Sequence, residues 1–99
     1  MPPYLLTNPA RTDLLTIIDF IATRNPNAAE SLLDEFHQAF DRLAQHPDIG
    51  HLRSDLTAKP FRFWPVQSYL VIYNSDANPI QILRLLSGYR DVAQLLRQA

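Results

Sequence analysis

Arg62 and Arg84 stand in two β-rich segments of this chain. Guanidinium groups on neighbouring strands would line one sheet face and hold a carboxylate or phosphate. Arg90 follows soon after the last such segment and adds a third cation. Trp64, the single tryptophan, comes directly after Phe61, Arg62 and Phe63. Aromatics beside an arginine can stack on bases, but core filling or contact with an apolar partner side chain is their more ordinary use. The histidines do not suggest a metal. His37 and His46 share a helical segment at a spacing that rotates them apart, and His51 sits in the loop beyond it. With no cysteine, disulfides, thiolate ligands and a cysteine nucleophile are excluded. No metal and no other cofactor is expected.

These groups must be positioned by 99 residues, which leave room for one domain and one core. An apolar fraction of 46% is ample for a folded globule. The start, Met1-Pro2-Pro3-Tyr4, lacks the charged and apolar regions of a signal peptide. No stretch approaches the roughly 20 apolar residues of a membrane helix. A soluble, cytosolic protein with no membrane partner is expected. The net charge of −1 hides an asymmetry: residues 1–49 carry three arginines against seven acids, and residues 50–99 six cations against three. A mildly basic second half suits nucleic acid, an acidic partner segment, or ordinary surface scatter.

Periodicity supplies the elements. After a short extended run, Tyr4-Leu5-Leu6-Thr7, Asn8 precedes Pro9 as an N-cap precedes a first-turn proline. Leu14, Ile17, Ile18 and Ile21 then mark one buried face of a helix over 9–24. Asn25-Pro26 repeats the start signal. Ala29, Leu32, Leu33, Phe36, Phe40 and Leu43 form a second stripe over 26–46, ended by Pro47 and the turn Asp48-Ile49-Gly50. Helices this close in sequence must fold back as an antiparallel hairpin.

Residues 61–64, 69–73 and 80–86 are rich in aromatic and branched side chains, as strands are. Their connections are too short for crossover helices, so they form an antiparallel meander. A short helix is expected after Gly88, with Asp91 near its start. The fold class is therefore α+β: N-terminal strand, helix hairpin, three-stranded meander, short C-terminal helix. Leu70 and Ile72 alternate with Tyr69, Val71 and Tyr73, so both faces of the middle strand are apolar. The hairpin can cover only one. The C-terminal turn and a partner are the candidates for the other.

This order, and several residues, resemble the RelE/ParE toxin superfamily of type II toxin–antitoxin systems, closer to its ParE-like plasmid stabilisation toxins. The resemblance runs through nearly the whole chain. It is carried by Tyr4-x-Leu6-Thr7-x-x-Ala10-x-x-Asp13-Leu14-x-x-Ile17 and Phe40-x-x-Leu43-Ala44-x-x-Pro47-x-x-Gly50. It continues in Arg53-x-Asp55-Leu56, in Tyr69-Leu70-Val71-Ile72-Tyr73, and in Ile82-Leu83-Arg84-Leu85-Leu86-x-Gly88-x-Arg90-Asp91. It implies one toxin domain over 1–99 and a cognate antitoxin, ParD-like, whose C-terminal segment lies across the toxin. RelE-like members cleave messenger RNA on the ribosome, and ParE-like members are described as poisons of DNA gyrase.

Metal-free RNA cleavage needs a base for the 2′-hydroxyl, cations for the phosphorane and an acid for the leaving oxygen. RNA-cleaving members resemble one another in an arginine opening the central strand, a second arginine after the last strand, and a late tyrosine or histidine. Here Leu70 stands at the first position, Arg90 matches the second, and the third falls near Leu96. Tyr89 is the nearest substitute, on a side chain expected to point away from Arg90. Ser87 stands where many ParE-like chains have histidine before the glycine.

The expectation is thus a ParE-like toxin that inhibits DNA gyrase by protein contact and is neutralised by its antitoxin. Arg62, Trp64, Leu83, Arg84, Leu85 and Arg90 are the candidate antitoxin- or target-binding residues. The alternatives are a ribosome-dependent RNA endonuclease using Arg90 and Tyr89, and a non-toxic remnant that only binds its antitoxin.

Overall fold

The computed structural model describes residues 2–55 and 58–87. Strand β1 spans Tyr4–Leu6, helix α1 Asn8–Ala22 and helix α2 Pro26–Gln45. A 3-10 turn, Pro47–Ile49, leads into β2 (His51–Leu52), β3 (Arg62–Val66), β4 (Tyr69–Asn74) and β5 (Ile80–Ser87). The expected C-terminal helix lies outside the described residues.

The hairpin forms where the periodicity places it, and Asn25 caps α2 by accepting from the Ala28 N–H at 3.1 Å. The cap of α1 differs from the expected Asn8. It is Thr7, whose Oγ1 accepts from Ala10 N at 3.2 Å. Pro9 then falls one position later in the first turn, where its missing N–H is still no loss.

The meander forms too, but within a larger sheet of order β1-β5-β4-β3-β2. β1 runs parallel to β5 on one edge, with Tyr4 opposite Ile80 and Leu6 opposite Ile82. β2 pairs with β3 on the other. Both additions are short strands, which limits the exposed edge.

The helices cover one face. Their core contains Phe36, Phe40, Leu32 and Leu43 from α2 against Val71, Tyr73, Ile80, Ile82 and Leu85 from the sheet. The opposite face carries a second cluster of Phe63, Leu70 and Ile72, with Phe61, Leu83 and Leu86 packed around it. Both faces of β4 are thus apolar, as its alternation requires.

A register shift between Ile72 and Tyr73 breaks the period of β5. Ile72 lies opposite Arg84 and Tyr73 opposite Ile82, so Leu83 has no partner of its own on β4. Beyond this bulge the side chains change face: Ile80, Ile82 and Leu85 turn to the helices, Leu83 and Leu86 away from them.

Candidate functional site

Arg62 and Arg84 are not on neighbouring strands. Arg62 lies on β3 and Arg84 on β5, with β4 between them, and their guanidinium groups go separate ways. The Nη1 of Arg62 donates to Gly50 O at 2.9 Å and Asp48 O at 3.2 Å, and its Nε to Ser75 Oγ at 3.2 Å. It holds the carbonyls of the 3-10 turn and of the Gly50 that ends it. In the same corner the Tyr73 hydroxyl accepts from Gly50 N at 2.9 Å and donates to Pro47 O at 2.6 Å. Burial raises the Tyr73 pKa above its ordinary value, against the opposing pull of the Gly50 N–H.

Arg84 forms a two-pronged pair with Asp13 of α1, Nε to Oδ2 at 2.6 Å and Nη2 to Oδ1 at 3.0 Å. Asp13 Oδ2 also accepts from Leu85 N at 3.0 Å. The reason is local. β1 ends at Leu6, so the edge of β5 past Ile82 has no strand partner among the described residues. Thr7 N donates to Ile82 O at 3.0 Å, Thr7 Oγ1 to Leu83 O at 2.8 Å, and Asp13 takes the next N–H. The start of α1 therefore replaces a strand. The carboxylate holds the Arg84 guanidinium even more firmly protonated than usual.

Leu83 and Leu85, expected together on a partner-binding face, are separated by the bulge. Leu85 is 2% exposed in the helix-side core and has no surface to offer. Leu83 packs on the opposite cluster. Tyr89 and Arg90, the candidates for catalysis and, for Arg90, also for binding, lie outside the described residues.

Trp64 is half-buried and opens onto a groove of about 480 Å³. One wall is Glu35, Gln38, Ala39 and Arg42, a single face of α2, and the other is residues 64–67 of β3 and its turn. Gln67, with a φ of 53°, turns its amide to donate to the Glu35 carboxylate. Arg42 has no ion pair or hydrogen bond from its side chain among the described residues. Of the residues lining this groove, only Trp64 is among the binding candidates expected from the sequence. The spacing of Glu35, Gln38 and Arg42 at i, i+3 and i+7 was available, but nothing in it says which strand lies alongside.

With the sheet order, the hairpin and these anchors in place, comparison with known proteins is decisive. Residues 4–92 match the family described as the ParE toxin of type II toxin-antitoxin system, parDE. The chain belongs to the ParE toxin family. Toxin ParE3 of Caulobacter vibrioides is 30% identical over 91 residues, which cover 91% of this chain and 90% of that protein. A solved structure titled as the chromosomal ParDE TA system from P. aeruginosa shares the fold, with a TM-score of 0.69 at 22% identity. That match covers 85% of this chain and 92% of the other. In this ParE-family chain Arg62 and Arg84 serve the fold, and the groove beside Trp64 is lined by Glu35 and Arg42 on its helical wall.

Among the described residues, no helix is long and apolar enough to cross a membrane. No three metal-ligating side chains come together there either.

Proposed function

We propose that this ParE-family toxin acts by protein contact, with DNA gyrase as its target, and is neutralised in the cytoplasm by a ParD-like antitoxin. The observation that carries this is Leu70. It occupies the position where RNA-cleaving members of the superfamily carry an arginine, and it is 8% exposed inside an apolar cluster with Phe63 and Ile72. A phosphate brought there would meet hydrocarbon. Losing one preorganised charge-stabilising donor typically costs about 100- to 1000-fold in turnover.

Arg62 and Arg84, the other cations on the sheet, are already bonded to acceptors of their own chain. Freeing either would sacrifice a fold contact. The partner reading is supported by family membership and by the likeness to a ParDE structure.

Two assays side by side test it. Purified toxin should inhibit gyrase supercoiling and leave messages intact on translating ribosomes. Codon-dependent message cleavage lost in Arg90→Ala would favour the endonuclease. Activity in neither assay, with antitoxin binding retained, would favour a non-toxic remnant.

A further inference from the structure

Helix α1 turns Ala10, Leu14, Ile17 and Ile21 to the core. Its outer side carries a ridge at i, i+4 and i+8, made of Arg11, Leu15 and Asp19. All three are exposed, Leu15 by 59%. Neither Arg11 nor Asp19 has an ion pair or side-chain hydrogen bond among the described residues.

Two observations fit this ridge to a second copy of the chain. The first is charge order. A helix favours acids near its N-terminus and bases near its C-terminus. α1 has no acid in its first turn and no base in its last, and on the ridge the cation comes first and the anion second. Within one chain this order gains nothing from the helix dipole, and a separation of about 12 Å along the axis keeps the two charges from pairing with each other. The second is symmetry. α1 spans Asn8–Ala22, so Leu15 is its central residue. A two-fold axis through Leu15 sets two copies of α1 antiparallel and places Arg11 of each beside Asp19 of the other. Every anion then lies towards the N-terminus of the helix it faces, and every cation towards the C-terminus. Leu15 meets its own copy at the axis.

We propose that the outer face of α1 is a self-association surface, on which two copies of this chain pair antiparallel through Arg11, Leu15 and Asp19. The proposal goes beyond the antitoxin and gyrase readings and depends on neither. One helical ridge from each copy is a small interface, below the about 1,200 Å² at which standard stable complexes begin. The dimer is therefore weak and depends on concentration.

Sedimentation velocity of the purified full chain over a roughly hundredfold range of concentration tests it. The parent should pass from monomer to dimer. Leu15→Asp sets two carboxylates on the axis and should leave the chain monomeric. Arg11→Asp and Asp19→Arg each turn two attractive contacts into two repulsive ones, because the symmetry repeats every contact. Each should raise the dissociation constant about tenfold or more. Mixed in equal amounts, these two charge variants should pair with each other as tightly as the parent does, since one ridge then carries only acids and the other only bases. Both variants also correct the charge order for the helix dipole, so at concentrations where the parent is monomeric their thermal melts should be unchanged or raised. Unfolding would then not account for the lost dimer. A parent that stays monomeric throughout, or a dimer indifferent to all three substitutions, would overturn the proposal. So would a mixture that associates no better than its two components alone.

Discussion

Asp13 on α1 and Arg84 on β5, 71 residues apart in the chain, are joined by two hydrogen bonds of 2.6 and 3.0 Å. The same carboxylate takes the Leu85 N–H at 3.0 Å. One side chain thus ties the first helix to the last described strand and completes the edge that β1 is too short to cover. Asp13→Ala should cost about 1–3 kcal/mol, because it leaves both a guanidinium and a backbone N–H without a partner. Arg84→Ala should cost less, since the Leu85 bond survives. Urea melts of the two single variants and the double variant should give a coupling above about 0.5 kcal/mol. Strict additivity would remove the pair from the account.

Gly50 is needed for space rather than for backbone freedom, its φ of −70° being open to any residue. A methyl group there would lie 2.6 Å from Tyr73 Cε1 and 2.9 Å from its Cζ. Gly50→Ala should therefore push the ring or the turn and lower stability by about 1–3 kcal/mol. Tyr73→Phe should not rescue it, because the clash extends to ring carbons. Thermal melts of the single and double variants check both statements.

Tyr73 makes stability sensitive to alkali. Its pKa is raised in the folded chain above the ordinary 10.0, chiefly by burial. The folded state then keeps a phenolic proton that the unfolded chain releases near that value. Its contribution is intact below about pH 10 and is lost as pH rises through the folded value. Tyr4, raised by burial and by the nearby Asp41, acts in the same direction. Stability should fall above about pH 10, and Tyr73→Phe should flatten part of that fall. The variant should also be less stable at neutral pH by about 1–3 kcal/mol, since Gly50 N and Pro47 O lose their partner. An unchanged alkaline slope in Tyr73→Phe would disprove the assignment.

Core truncations should separate positions that look equivalent in the helical stripes. Phe36 is fully buried, stacked on Phe40 and tilted against Tyr69, so Phe36→Ala should cost about 3–5 kcal/mol. Ile18 is only half-buried, and Ile18→Ala should cost less than about 2 kcal/mol. Denaturation by circular dichroism orders the two, and equal costs would contradict the burial.

The hairpin, the meander and the two-faced β4 are legible in the residues alone. Helix caps, the 3.6-residue stripe and strand alternation are local, and each is written within a dozen consecutive positions. Even the correction at Thr7 is one position wide: Asn8 and Thr7 are both good caps, and the nearby Ile82 and Leu83 carbonyls of β5 favour Thr7.

What only the folded chain decides is which residues meet across the sheet. Strict alternation would put Leu83 and Leu85 on one face, and the bulge opposite Ile72 and Tyr73 turns Leu85 into the core. A single extra residue reverses every side chain beyond it, and nothing in the run of residues 82–86 marks where it falls. Arg62 and Arg84 looked like cations free to hold a phosphate because their acceptors are remote in sequence: the 3-10 turn before β2 for one and α1 for the other. Charge type is a property of the residue. Whether that charge is already answered depends on distances that exist only once the sheet and the helix hairpin have packed together.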